Sequence, residues 1–337
     1  MGGRRAGSRA STGGVLPLSR IFIVGSGVVG SATGRGLAAA GHTVTFVDIA
    51  PARLAALADE GLDARPALDL AGEPESFVFL TLPTPNRGAS YDLTALRQGA
   101  EDVGRALAQA DTRHVVVVRS TVPPGTTDDV VRPAIERASG LREGEGFSLA
   151  ANPEFLRAAS ADDDFRWPWM TVVGARSRRV GERLGELLAP FGGELRVFGD
   201  PATAELVKCA HNIYNAAKIS FWNEMWLVCR RLGIDHDDVA STVARSAEGS
   251  FNREYGIRGG APYGGECLPK DTLGFLGFAS SIGVRMPILE AVTEVNDLLQ
   301  GMVAAELDGL DHSVEDGDDR LISVDRADHA GRTAGSR

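Results

Sequence analysis

Arg20-Ile21-Phe22-Ile23-Val24-Gly25-Ser26-Gly27-Val28-Val29-Gly30 decides the fold of this 337-residue chain. The apolar run Ile21 to Val24 has the length and β-branched content of a buried strand, and the glycines that follow it at once open an apolar helix. In that context the first glycine permits the tight turn and the second lets the backbone approach a pyrophosphate. The third lets helix pack on strand, while the helix N-terminus offers N–H donors and a positive dipole. Asp48 closes the next apolar run, Val44 to Val47, where a carboxylate accepts both ribose hydroxyls and repels a 2'-phosphate. The glycines alone fit an ordinary strand-to-helix turn, but the acid at the end of the second strand does not follow from that reading. The pattern therefore predicts NAD rather than NADP, cradled by Gly25, Gly27, Val28, Val29, Gly30 and Asp48. Arg53 has two readings, as a group stacked on the adenosine or as a solvated residue on a helix face.

Outward from this motif, apolar runs recur at Phe77 to Leu80, Val115 to Val118 and Thr171 to Val173, with helix-like segments between several of them. Such alternation predicts an α/β fold, a Rossmann-type doubly wound parallel sheet over residues 20–200. After Asp200 the texture changes, because Pro201 begins a stretch without further Gly or Pro up to Leu232. It predicts one long helix, apolar on much of its surface, of the kind that meets another domain or subunit. A helical region from Asp235 to about Arg245, a glycine-rich loop over Gly256 to Gly265 and an amphipathic helix from roughly Met286 to Leu307 complete an all-helical second domain, 201–308. Residues 1–19 and 309–337 are polar and aperiodic and are expected to be disordered extensions.

With 45 acidic and 35 basic residues the net charge is -10, which argues against broad attraction to nucleic acid or an anionic membrane. No stretch approaches the roughly 20 apolar residues that cross a bilayer. Cys209, Cys229 and Cys267 are too few and too widely spaced for a disulfide framework or a zinc site, so no metal is expected and a reducing cytoplasm is.

Five further segments carry a resemblance: Leu82-Pro83-Thr84-Pro85; Ser120-Thr121-Val122-Pro123-Pro124-Gly125-Thr126-Thr127; Asn152-Pro153-Glu154-Phe155-Leu156; Ala204-Glu205-Leu206-Val207-Lys208 with Asn212; and Gly264-Gly265-Glu266-Cys267-Leu268-Pro269-Lys270-Asp271. In this order they resemble the UDP-glucose/GDP-mannose dehydrogenase family, the nucleotide-sugar C6 dehydrogenases, over about residues 20 to 300. The resemblance implies four-electron oxidation of a sugar CH2OH to a carboxylate by two NAD, with Thr84, Pro85, Ser120 and Thr121 beside the cofactor. It also implies dimerisation through the long helix.

The residue types suit that chemistry. A thiolate at Cys267, in a glycine-rich loop beside Lys270 and Asp271, can hold the aldehyde between two hydride transfers as a thiohemiacetal and then a thioester. A small buried cysteine is the plainer reading, and it fits Cys209 and Cys229 on the long helix better than Cys267. Lys208 and Asn212, spaced i and i+4, leave one helix face, and the resemblance assigns them stabilisation of alkoxide or oxyanion charge. It assigns Glu154 and Thr121 to the water that hydrolyses the thioester, and Asp271 to proton transfer near the thiol. Glu154 otherwise reads as a helix N-terminal acid, and Ser120 and Thr121 as a turn or cap.

The sequence also departs from the family. Ala158 stands where a second glutamate is common, and Trp169-Met170 replaces the usual Asp-Arg. Family members continue into a second Rossmann-like domain that grips the nucleotide, whereas the 26 residues from His312 onward are too few for one. The expected substrate is thus a sugar nucleotide or a smaller hexosyl nucleoside or glycoside. The rival readings are a two-electron alcohol dehydrogenase and an NAD-binding relative without activity.

Overall fold

A computed structural model of the protein describes residues 18–88, 90–246, 260–264 and 267–311, the side chains of 267 and 306–311 excepted. It contains β1 (Arg20–Val24), α1 (Val28–Ala39), β2 (Thr43–Val47), α2 (Pro51–Asp59), β3 (Asp63–Arg65) and β4 (Ser76–Leu80). A small hairpin, β5 (Asn86–Arg87) and β6 (Ser90–Tyr91), precedes α3 (Thr94–Leu107) and β7 (His114–Val118). There follow α4 (Arg132–Ser139), β8 (Phe147–Ala151), α5 (Ala161–Arg166), β9 (Met170–Gly174), α6 (Arg178–Leu188) and β10 (Glu194–Phe198). The helices α7 (Pro201–Leu232), α8 (His236–Val243), α9 (Cys267–Ser281) and α10 (Pro287–Asp311) come last.

The main sheet has eight strands in the order β10-β9-β8-β7-β4-β1-β2-β3. Its pairings from β3 through β8 are parallel, so β1, β2, β3, β4, β7 and β8 stand in the doubly wound order 3-2-1-4-5-6. β9 meets β8 antiparallel at Ala151 and Gly174 and then pairs in parallel with β10.

Period-2 alternation divides the sheet's side chains between two cores. Ile21, Ile23, Phe77, Phe79, Val115 and Val117 face Leu37 of α1, Leu57 of α2, Phe165 of α5 and Leu184 of α6. Phe22, Val24, Val78, Leu80, Val116 and Val118 face Leu96 and Val103 of α3 and Ile135 of α4. Each such buried side chain contributes on the order of 1.5–3 kcal/mol of hydrophobic stabilisation.

The described chain forms two compact units that divide between Tyr214 and Asn215, within α7 rather than at its start. Lys208 and Asn212 accordingly belong to the first unit. In the second, Val228, Ala279 and Met286 form a small core with Met225, Phe275 and Leu289. There the buried Glu224 carboxylate accepts from the Ile288 amide at 2.6 Å and caps α10.

α7 is the 32-residue helix that the gap in Gly and Pro predicts. α8, capped by Asp235, agrees with the expected helical region. Two expectations change. Cys267 does not lie within a loop but is the first residue of α9, which the proline at 269 does not prevent because the first helical turn needs no N–H from it. α10 runs on to Asp311, past the expected end at Leu307. Half of the expected glycine-rich loop, 256–259 and 265, the N-terminal extension to residue 17 and the tail from 312 lie outside the described residues.

Candidate active site

All the motifs of the first unit converge at the carboxyl ends of the parallel strands. Gly25 to Gly30 follow β1, Asp48 follows β2, Thr81 to Pro85 follow β4, Arg119 to Thr121 follow β7, and Asn152 to Glu154 follow β8. In doubly wound sheets this edge holds the ligand crevice, where the strand order reverses. Here the reversal falls between β1 and β4.

The three glycines answer different needs. At Gly25, φ is +95°, and a Cβ would come within 2.7 Å of the Thr81 carbonyl oxygen. At Gly30 a Cβ would lie 2.0 Å from the Gly25 oxygen, so helix and turn approach too closely for any side chain. A Cβ on Gly27 would meet nothing nearer than Arg53 Nη1 at 3.9 Å, and its φ of -68° suits any residue. Nothing in the chain itself asks for glycine at 27; an approaching ligand would.

Asp48 is buried, and its Oδ2 accepts from both the amide and the hydroxyl of Ser26 at 2.7 Å, while Oδ1 accepts from the Ala50 amide at 2.9 Å. Burial pushes this carboxyl up, but the Ser26 and Ala50 donors and the Arg53 charge outweigh it and hold the group below the usual carboxylate range. Arg53 is largely exposed and reaches Asp48 at 3.5 Å. Together with Ser26, Gly27, Val28, Arg35 and Asp162 it lines an open groove of about 700 Å³. Ile49, next to Asp48 in the chain, is an apolar residue 92% exposed that pattern reading passed over; its one signal was an aliphatic residue directly after the strand-terminal acid. A cradle free of side chain at Gly27, an ionised Asp48 and this groove fit a dinucleotide.

The loops after β4 and β7 are tied together. Ser120 Oγ donates to the Leu82 carbonyl at 2.6 Å, and Thr84 Oγ1 donates to the Thr121 carbonyl at 2.6 Å, so Ser120 and Thr84 shape the wall while the neighbouring Pro85 is exposed. Arg119, buried, donates to Thr33 Oγ1 of α1 at 2.8 Å and to the Asn152 side chain. Burial lowers its pKa to about 10, against the pull of Glu154, so it stays charged at neutral pH.

Glu154 lies in irregular chain after β8, not at a helix start, and its Oε2 accepts from the Leu156 amide at 2.5 Å. Its Oε1 sits 3.3 Å from the Lys208 ammonium, with both side chains nearly buried. Lys208 also lies 5.2 Å from the centre of the Phe155 ring. What aims Lys208 is Glu205, one turn earlier on α7. The Glu205 carboxylate is buried and accepts from the Gly125 amide (2.6 Å), the Thr127 amide (2.8 Å) and the Thr127 hydroxyl (2.6 Å), pinning α7 to the Pro-Pro-Gly-Thr-Thr loop. Asn212, the next turn on from Lys208, is exposed. His211 packs edge-on against Phe155 at 5.2 Å and near Trp169 at 5.4 Å; burial first, then the Lys208 charge, hold its pKa down, with Glu154 opposing. Glu205, His211 and Arg119 were not singled out from the sequence, since an isolated acid, imidazole or guanidinium has no periodic signature.

In the second unit, Asp271 stands one turn after Cys267 on α9 and pairs with Lys270 at 2.9 Å on the surface. Cys209 donates its thiol to the Val122 carbonyl at 3.3 Å, and Cys229 is buried, both as expected of structural cysteines. Among the described residues no group of His, Cys, Asp and Glu can hold a metal ion, and no helix is long and apolar enough to cross a membrane.

Comparison with known proteins gives this geometry its family. The NAD binding domain of the UDP-glucose/GDP-mannose dehydrogenase family matches residues 69–192, and that family's central domain matches 202–298. UDP-glucose 6-dehydrogenase AglM from Haloferax volcanii is 36% identical over 302 residues, 82% of this chain and 69% of that protein. The chain belongs to the UDP-glucose/GDP-mannose dehydrogenase family. It is an NAD-dependent dehydrogenase acting on a CH–OH donor. GDP-mannose 6-dehydrogenase from Pseudomonas aeruginosa is 32% identical over 299 residues, covering 82% of this chain and 68% of the relative. Among solved structures, a ternary complex of GDP-mannose dehydrogenase from that organism superposes with a TM-score of 0.76 at 30% identity, over 83% of this chain and 69% of the other. A ketopantoate reductase PanE/ApbA pattern matches residues 21–76 alone, the part of the dinucleotide fold that such enzymes have in common.

Proposed function

We propose that the protein oxidises the C6 primary alcohol of a sugar nucleotide to the carboxylate in two steps, as the names of its UDP-glucose and GDP-mannose relatives suggest. The observation that carries this reading is the nearly buried Lys208–Glu154 pair at the carboxyl edge of the sheet, the edge that also carries the dinucleotide motif. NAD supplies the hydride acceptor, twice per product. Gly27 leaves room for its pyrophosphate, and Asp48 takes the ribose hydroxyls.

The chain's own groups divide the rest. Lys208, with Asn212, stabilises the negative charge that develops on the C6 oxygen as its proton leaves. Cys267, the first residue of α9, adds through sulfur to the aldehyde carbon to form a thiohemiacetal, with Asp271 passing the proton. Loss of a second hydride leaves a thioester on Cys267. Glu154 and Thr121 orient a water whose oxygen adds to that carbonyl; the C–S bond breaks, the thiol is restored and the acid departs. The overall balance is one alcohol, two NAD and one water to one carboxylate, two NADH and three protons.

α7 exposes Ile213, Ile219 and Leu227, a surface suited to pairing two copies, and the reading includes a homodimer through it. The test is stoichiometry. With UDP-glucose or GDP-mannose, two NADH per substrate, lost in Cys267→Ser, supports the acid-forming mechanism; one NADH per substrate would replace it with a two-electron alcohol dehydrogenase.

A further inference from the structure

Trp169 stands where the sequence departs from its family, and the structure holds it in an unusual way. The residue is 57% exposed although it is a large apolar group, immediately before β9. It is nevertheless fixed. The ring meets Phe155 edge-on at 5.3 Å and lies tilted against His211 at 5.4 Å, and its carbonyl accepts from the Glu194 amide at 3.1 Å. Phe155 is the residue after Glu154 and carries Lys208 against its ring. An exposed, rigid aromatic surface thus lies one ring away from the Lys208–Glu154 pair, within a single compact unit.

We propose that the exposed face of Trp169 is a stacking platform for the hexose ring of the substrate. The C–H bonds on one face of a pyranose are polarised by the neighbouring oxygens and sit favourably on the negative face of an indole, while the hydroxyls at the ring edge stay available to polar groups. The cavity of about 50 Å³ bounded by Glu154, Phe155 and Trp169 is too small to enclose a sugar, so the ring lies over the indole rather than inside that cavity. The role rests on the sugar-nucleotide reading above and deepens it. Trp169 acts on binding and on placement of C6, not on bond making. Its loss therefore weakens the sugar's share of affinity more than it slows turnover of bound substrate.

The test uses the full-length protein, its Trp169→Ala and its Trp169→Phe variants. Affinities for UDP-glucose, GDP-mannose, UDP and GDP are measured by calorimetry, alongside kcat and KM for each sugar nucleotide and for NAD. The platform predicts that wild type binds one sugar nucleotide tighter than its bare nucleotide. In Trp169→Ala that increment falls about tenfold and KM rises in step, with kcat within about threefold and KM for NAD unchanged, and Trp169→Phe keeps most of it. If wild type gains nothing from the sugar, or Trp169→Ala keeps the increment, the platform is wrong. If it loses NAD binding as well, the indole is structural and the platform is again wrong. Sugar-dependent binding lost in Trp169→Ala, but without turnover in wild type, would sink the proposed reaction and leave the platform standing.

Discussion

The Lys208 ammonium and the Glu154 carboxylate, 54 positions apart in sequence, lie 3.3 Å from each other with little exposure of either. A charge pair so placed is expensive to break from one side, because the partner left behind is buried and uncompensated; the usual cost is about 3–5 kcal/mol. Lys208→Ala is therefore expected to lower both the melting temperature and kcat, the latter by about 10²–10³-fold. Calorimetry and steady-state assays check the two. A variant as active as wild type would remove Lys208 from the chemistry.

Glu154→Gln keeps the size of the side chain while removing the charge that orients water. Hydride transfer should continue until the thioester stage and then stall, so that intact-protein mass spectrometry shows a sugar adduct on wild-type Cys267 that the double variant with Cys267→Ser lacks. Full turnover by Glu154→Gln, with no adduct, would reassign the hydrolytic step.

Two glycines separate folding from binding. Gly27→Ala meets only Arg53 at 3.9 Å, so its melting temperature should stay within about 2 °C of wild type while NAD affinity drops at least about tenfold. Gly30→Ala places a methyl 2.0 Å from a backbone oxygen and should lower the melting temperature by about 5 °C or more. Equal effects on stability would show that Gly27 serves the turn and not a ligand.

Asp48 sets the acid limb. Its folded carboxyl lies below its unfolded value of ~3.9, so the stability it contributes is fully present above that pH and is lost as pH falls through the folded value. NAD affinity, followed by fluorescence titration, should thus stay level from pH 7 to about 5. Asp48→Asn should weaken NAD about tenfold and narrow its advantage over NADP, since the repelled 2'-phosphate no longer faces a carboxylate. A variant that still refuses NADP would place cofactor choice elsewhere, with Arg53 and Arg35 in the groove as the next groups to change.

Local pattern was enough for the dinucleotide half. Strand periodicity, the glycine spacing around Ser26, the acid closing β2 and the unbroken run from Pro201 to Leu232 are all properties of neighbours in the chain, and β1, β2, β4, β7, β9 and α7 follow from them. The short β3 and the exposed edge strand β10 carry too little apolar alternation to announce themselves, and α9 was hidden by the glycines and proline around Cys267. What only tertiary structure decided is which distant groups meet. Glu205 reaches the loop at Gly125 and Thr127, Arg119 ties α1 to Asn152, and Trp169 joins Phe155 and His211, and each of these contacts depends on strand order and on where α7 lands. Helix and strand propensities act over a few residues, whereas these pairings are selected by burial: a charge or an indole removed from water keeps whichever partner the packed chain brings to it.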